Sequence, residues 1–224
     1  MPFFIIMYLL IIHECGHFFT AMICGVKVNK ICIYPFGGIS KFNMDLNISQ
    51  IKEFIILIFG PLLQLFGYLI LINIPYMYSY VSMIKIYNYS ILFFNLLPIY
   101  PLDGGKLLNI ILSWKFSFRN SYKLCILISY LIVCLFFIMF LNNICINVVT
   151  IVLFLFYKIT FEYRRVNYFY EKFLLERYLN KYNFRSSIIV DNVNKFYRNK
   201  RHLVKKGDIY YTEKEILEKK YKSY

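Results

Sequence analysis

The chain has 224 residues, 59% of them apolar and 17% charged, with a net charge of +14. Soluble domains usually carry about 25% charged residues, so this composition excludes an ordinary water-soluble globule. Several charge-poor stretches are about 20 residues long, enough to cross the hydrocarbon core of a bilayer as helix. The sequence therefore reads as an all-α polytopic membrane protein of about five transmembrane helices, with a short β segment at the membrane border and a small α/β module at the C-terminus.

Spans are expected at residues 2–24, 53–72, 84–98, 122–141 and 144–161. The first lacks the basic leader and small-residue cleavage site of a secretory signal, so it is expected to be retained. It also contains His13, Glu14 and His17. Ionisable groups inside a transmembrane helix are expensive and mark a functional interior site. With about 100° of turn per residue, His17 lies near 40° from His13, Glu14 near 100° and Cys15 near 200°. The two histidines thus share a face, Glu14 flanks them and Cys15 points away. Two imidazoles one turn apart can hold one zinc ion, with the neighbouring carboxylate placed to handle the protons of an attacking water. Gly16 and Gly25 would admit close approach by other segments.

Residues 26–42, VKVNKICIYPFGGISKF, show rough alternation and a Pro35-Phe36-Gly37-Gly38 turn signal. A strand or short hairpin is expected, an amphipathic loop being the alternative. The third span ends at Pro98 and runs into PLDGG, where Asp103 follows two prolines and precedes two glycines. Regular helix cannot continue through the prolines, and irregular backbone at that depth must be buried in protein or line a watery cavity. Zinc held by two histidines lacks a third protein ligand, and Asp103 is the conspicuous candidate. Alone, PLDGG would be an ordinary turn.

The last two spans are separated by little more than Asn142 and Asn143, as in a tight hairpin. Beyond them residues 161–185 read as a basic amphipathic helix on the membrane surface. Residues 186–224 follow as a small cytosolic module of strand, polar helix, two short strands and helix. Residues 158–224 hold 17 of the 26 Lys and Arg against 8 of the 12 acids, a net +9. Such a tail lies on an anionic leaflet and fixes orientation; no nucleic-acid module is recognisable. Basic and uncharged connections alternate along the chain, which places the C-terminus in the cytoplasm. The six cysteines show no C-x-x-C spacing and read as small buried hydrophobes.

His13-Glu14-Cys15-Gly16-His17 and Asn95-Leu96-Leu97-Pro98-Ile99-Tyr100-Pro101-Leu102-Asp103-Gly104 together resemble the paired motifs of the intramembrane metalloproteases of the site-2 protease class. The likeness covers roughly residues 1–160, the expected protease domain, and is greatest to the stage IV sporulation protein FB type. It implies His13, His17 and Asp103 as zinc ligands and Glu14 as catalytic acid/base. Asn95, Pro98, Gly37 and Gly38 become substrate-binding candidates, with the 26–42 segment pairing with an unwound substrate as an added strand. The implied substrate is a membrane-associated protein, a sigma-factor precursor in that subgroup, with membrane inhibitor proteins as further partners. Sporulation-type relatives carry one more span before the H-E-x-x-H helix. Here 12 residues precede His13, so either the start lies upstream and adds a sixth span, or this member has lost one. The tail resembles the nucleotide-sensing CBS module of that subgroup but is shorter than a paired module. Two other readings stay open at this level: a catalytically silent zinc-binding scaffold that recruits partners through its basic tail, and a membrane metal carrier. An intact Glu14 speaks against the first, and the near-absence of ionisable groups along the spans after residue 122, before Lys158, against the second.

Overall fold

The computed structural model describes residues 1–26, 30–34, 37–41, 45–140, 146–184 and 186–222. They form two compact units, one of residues 1–44 and 51–97, the other of residues 45–50 and 98–224. Helices predominate. Among the described residues, four are long and apolar enough to cross a membrane: α1 (Pro2–Ile23), α2 (Gln50–Ile72), α5 (Phe118–Met139) and α6 (Ile146–Leu179). The chain is an integral membrane protein. The expected third span appears as α3 (Val81–Leu96), whose 16 residues fall short of the roughly 20 that a perpendicular crossing needs.

In the first unit, α1 starts on Pro2, a favoured first helical residue. It ends at Gly25, whose φ of 72° allows the Gly25 and Val26 amides to bond back to the Met22 and Ala21 carbonyls, both at 2.9 Å. That is a Schellman cap. Gly25 therefore closes a helix instead of admitting a neighbour: a Cβ there would meet nothing within 4 Å. Next come two antiparallel strands, β1 (Lys30–Tyr34) and β2 (Gly37–Lys41), in register from Lys30 opposite Lys41 to Tyr34 opposite Gly37. The expected border hairpin is thus present as strands, while its Pro35-Phe36 turn lies outside the described residues. Both β2 and α3 lie against α1. Ile5 and Leu9 of α1, Tyr68 and Leu71 of α2 and Ile84 of α3 form a buried apolar cluster.

The second unit begins its helical part with α4 (Asp103–Lys115), where the sequence suggested only a turn. The glycine pair that looked like a loop occupies the first turn of this helix. A Cβ on Gly105 would lie 2.4 Å from the Ile99 carbonyl carbon and the Tyr100 nitrogen, so glycine lets the preceding irregular chain fold onto the helix start. The Tyr100 amide bonds to Ser129 Oγ of α5 at 2.8 Å, and Cys125 Sγ of α5 reaches the Gly105 carbonyl at 3.2 Å. α5 packs on α6 through the Tyr130–Thr160 hydroxyl pair at 2.8 Å and a Phe118–Phe173 ring stack at 4.3 Å. The expected turn at Asn142-Asn143 lies outside the described residues. No break occurs near residue 161: α6 continues to Leu179 for 34 residues, about 51 Å at 1.5 Å per residue and well beyond a 30 Å hydrocarbon core.

The remainder is a three-stranded sheet in the order β3 (Ser187–Val190), β4 (Arg201–Lys206), β5 (Ile209–Thr212), followed by α7 (Glu213–Lys222). β3 pairs parallel to β4, and β4 antiparallel to β5. The polar helix expected between β3 and β4 is only a 3-10 turn at Val193–Lys195. Cys15, Cys24, Cys125 and Cys134 are free thiols.

One buried cation ties this module to α6. Arg177 donates to the carbonyls of Tyr197 (2.6 Å), Arg198 (2.9 Å) and Lys200 (3.0 Å), to Asn47 Oδ1 (2.7 Å) and to Glu213 (2.9 Å). Its guanidinium also lies over the Phe173 and Phe184 rings. The short 45–50 segment joins the same network, because Glu176 accepts from the Leu46 amide at 2.7 Å and from Asn47 Nδ2 at 3.1 Å. Removing one partner of a buried pair costs about 3–5 kcal/mol. Arg177→Met is therefore expected to lower the thermal stability of the module by that amount, with earlier proteolytic cutting after residue 180. Unchanged melting would show that the five acceptors do not depend on it.

His202 gives a pH prediction. It is fully buried; its Nε2 accepts from the Tyr197 amide at 2.8 Å, so Nδ1 carries the proton and donates to Glu213 at 2.5 Å. Burial holds its pKa below the ordinary histidine value, against the pull of Glu213. The unfolded chain, with a histidine pKa of about 6.5, thus binds the extra proton. His202 contributes fully above pH about 6.5, and its contribution falls as pH drops below that value toward the folded pKa. Amide-exchange protection of β4 is expected to weaken from pH 7.5 to 5.5 (about one unit either side of 6.5) more in wild type than in His202→Phe. Stronger protection in acid would mean that Glu213 dominates instead.

Candidate metal centre

His13 and His17 stand one turn apart on α1, and both are buried, at 1% and 4% exposure. Helix α2 crosses them closely because small residues meet at the crossing. A Cβ on Gly16 would lie 2.4 Å from the Phe59 carbonyl oxygen, and one on Gly60 would lie 2.2 Å from the His17 ring. Gly16 thus has the role its sequence position suggested. Pro61, inside α2, has no N–H to donate to the carbonyl four residues earlier, which loosens the helix ladder at this turn.

The hydrogen bonds around the rings decide which nitrogen carries the proton. His17 Nδ1 lies 2.9 Å from the Ile56 carbonyl, which can only accept, so Nδ1 is the N–H. His13 Nδ1 lies 2.9 Å from Gln64 Oε1. With both Nδ1 atoms committed to α2, the unprotonated Nε2 atoms turn toward each other, 3.1 Å apart, with the rings nearly perpendicular at 81°. Two lone pairs at that separation repel unless a cation lies between them. The donor set fits a divalent transition ion: two neutral imidazole nitrogens, each with its second nitrogen oriented by an outer partner, are the usual histidine half of such a site. Glu14, the next residue along α1, is half-buried beside them.

The remaining candidates fall in both units. Asn95 is half-buried in the last turn of α3, and Gly37 and Gly38 are the first two residues of β2. In the second unit, Pro98 is exposed in the irregular stretch before α4. Asp103 is buried at the first residue of α4, where the helix dipole favours a carboxylate, and Lys106 Nζ bonds its Oδ1 at 2.9 Å. Gln64 and Asn88, both fully buried, were not singled out from the sequence. The available signal was an amide inside an apolar span, a costly placement that needs a partner.

This buried, membrane-embedded histidine pair defines a candidate metal centre of the kind that serves metal-dependent hydrolases. The model of peptidase family M50 matches residues 1–79 and 73–139, and the chain belongs to that family. It is 33% identical over 181 residues to Stage IV sporulation protein FB of Bacillus subtilis (strain 168), a match covering 77% of this chain and 62% of that protein. It is 34% identical over 125 residues to a zinc metalloprotease of Methanocaldococcus jannaschii, covering 51% of this chain and 35% of the relative. Both matches span less than two thirds of the relatives' length. Among solved structures, the Site-2 Protease from Methanocaldococcus jannaschii superposes with a TM-score of 0.58 at 26% identity, covering 70% of this chain and 74% of that one.

Gly60→Ala tests the crossing. The added methyl would overlap the His17 ring, and overpacking of this kind costs about 1–3 kcal/mol. A lower melting temperature in detergent and weaker zinc uptake are expected, with Cys15→Ala as a silent control. Wild-type behaviour of both would mean that α2 does not approach His17 as described.

Proposed function

We propose that the chain is a zinc-dependent intramembrane endopeptidase. The observation that carries this reading is the pair of membrane-buried imidazoles whose Nδ1 atoms are both committed to α2 and whose Nε2 atoms face each other at 3.1 Å. Family membership and the zinc metalloprotease among its relatives support it. In this proposal His13, His17 and Asp103 hold the ion. Asp103 is favoured because it is a buried carboxylate at a helix start, in a stretch that matches the second family motif.

Zinc, when bound, supplies a Lewis acid that polarises the scissile carbonyl and makes a nearby water acidic enough to attack at neutral pH. Glu14 takes the proton of the attacking water and returns it to the leaving amine nitrogen. Asn95 bonds the backbone of the substrate around the cut, and Pro98 shapes the irregular stretch beside it. A transmembrane substrate must be unwound before its carbonyls can be reached, since helical bonds occupy them. The β1–β2 ribbon has outer edges with backbone groups able to pair with such an extended segment, next to Gly37 and Gly38. A membrane-associated protein is the substrate class, and a sigma-factor precursor is the member favoured by the likeness to the sporulation protein. The basic tail and the alternation of basic and neutral connections favour a cytoplasmic C-terminus, with cleavage near that membrane face.

The deciding experiment is co-expression with a tagged sigma-factor precursor from the same genome, followed on a blot. Wild type should process it, and Glu14→Gln should lose at least ~100-fold, the smaller end of what a general acid/base contributes. Equal processing by both would remove Glu14 from the chemistry and favour the scaffold reading.

A further inference from the structure

Gln64 is one side chain whose orientation the structure over-determines. It sits at 0% exposure on α2, eight residues after Ile56 and four after Gly60, on the stripe that α1 crosses. Its Nε2 donates to the Asn88 backbone carbonyl at 3.2 Å and to Asn88 Oδ1 at 3.0 Å, both on α3. A backbone carbonyl can only accept, so the amide cannot be turned round without placing oxygen against oxygen. Its Oε1 must then face His13 and accept from Nδ1–H. Asn88 is also fixed, since its Oδ1 is needed toward Gln64. Among the described residues, Asn88 Nδ2 is buried with no hydrogen-bond partner, a state that native proteins rarely hold without a reason.

We infer that Gln64 is a positioning residue of the metal centre. Asn88 polarises its amide, and the amide keeps the proton of His13 on Nδ1, so that Nε2 is presented as the ligand atom. This rests on the metal reading proposed above. The two histidines are held differently. Backbone fixes His17, through the Ile56 carbonyl, and no substitution can remove it. A replaceable amide fixes His13. The inference therefore predicts sensitivity at one ligand only.

The test uses the full chain purified in detergent, with zinc affinity measured by competition against a chromophoric chelator. Nitrogen-resolved NMR of the zinc-loaded protein follows each imidazole Nδ1–H. In wild type both Nδ1–H protons should be observed, shielded from exchange by their acceptors. Loss of an outer partner typically weakens metal binding 10–100-fold, so Gln64→Leu should fall by about that factor and lose the His13 signal while keeping that of His17. Asn88→Ala should fall less, because the backbone carbonyl still takes one amide hydrogen. Gln64→Glu keeps an acceptor toward His13 but sets its second oxygen against the Asn88 acceptors, so it should keep the His13 signal and lose less affinity than Gln64→Leu. Gln64→Leu with unchanged affinity and an unchanged His13 signal would overturn the inference and leave the metal reading standing. Wild type that takes up zinc no better than His13→Ala would overturn the metal reading, and the inference with it. The wild-type spectrum and Asn88→Ala decide the matter even where Gln64→Leu fails to fold.

Discussion

Two imidazole nitrogens 3.1 Å apart in the interior of a membrane protein are the feature on which the first unit is organised. Each ring must give its other nitrogen a partner, because lipid offers none. Helix α2 supplies both, a main-chain carbonyl at Ile56 and an amide at Gln64, and α3 supplies the residue that orients that amide. Three helices are thus joined by a chain of polar contacts a few ångströms long. The hydrophobic contacts among Ile5, Leu9, Tyr68, Leu71 and Ile84 stabilise the same three helices without specifying their rotation.

Close approach is the second requirement. An imidazole cannot reach a carbonyl of the neighbouring helix unless the two backbones nearly touch, and Gly16 and Gly60 permit that. Pro61 acts in the same place, since a helix that lacks one of its N–H groups distorts at that turn. Glycine, proline and histidine here form one device spread over two helices.

The second unit solves a different problem, that of keeping a buried charge in a fixed place. Arg177 gathers five oxygen acceptors from Asn47, the stretch around residues 197–200 and Glu213, so the 45–50 segment, the end of α6 and the C-terminal sheet share one buried cation. Full pairing offsets the desolvation of that charge. Within the same unit Asp103 is carried at a helix start by a glycine pair that lets irregular chain fold back on it.

Much of this could be read from the amino acids. Histidines four apart in an apolar run, prolines before Asp103 and rough alternation within residues 26–42 are local patterns, and local patterns fix helix faces, breaks and strands. The sequence also shows that the chain belongs in a bilayer, though it suggested five spans where four described helices are long and apolar enough to cross. It was silent on α4, because two glycines at the head of a helix look the same as two glycines in a turn. It also suggested a break near residue 161 where α6 runs on, since a change from apolar to basic residues marks a change of solvent and does not end a helix. Gln64 and Asn88 were not legible as functional residues, because their meaning lies in partners 51 and 24 residues away. Which face of α1 carries the histidines is a property of the sequence alone. Which nitrogen each histidine offers is decided by the helices packed against it, because a tautomer is set by the hydrogen bonds that a ring makes in space.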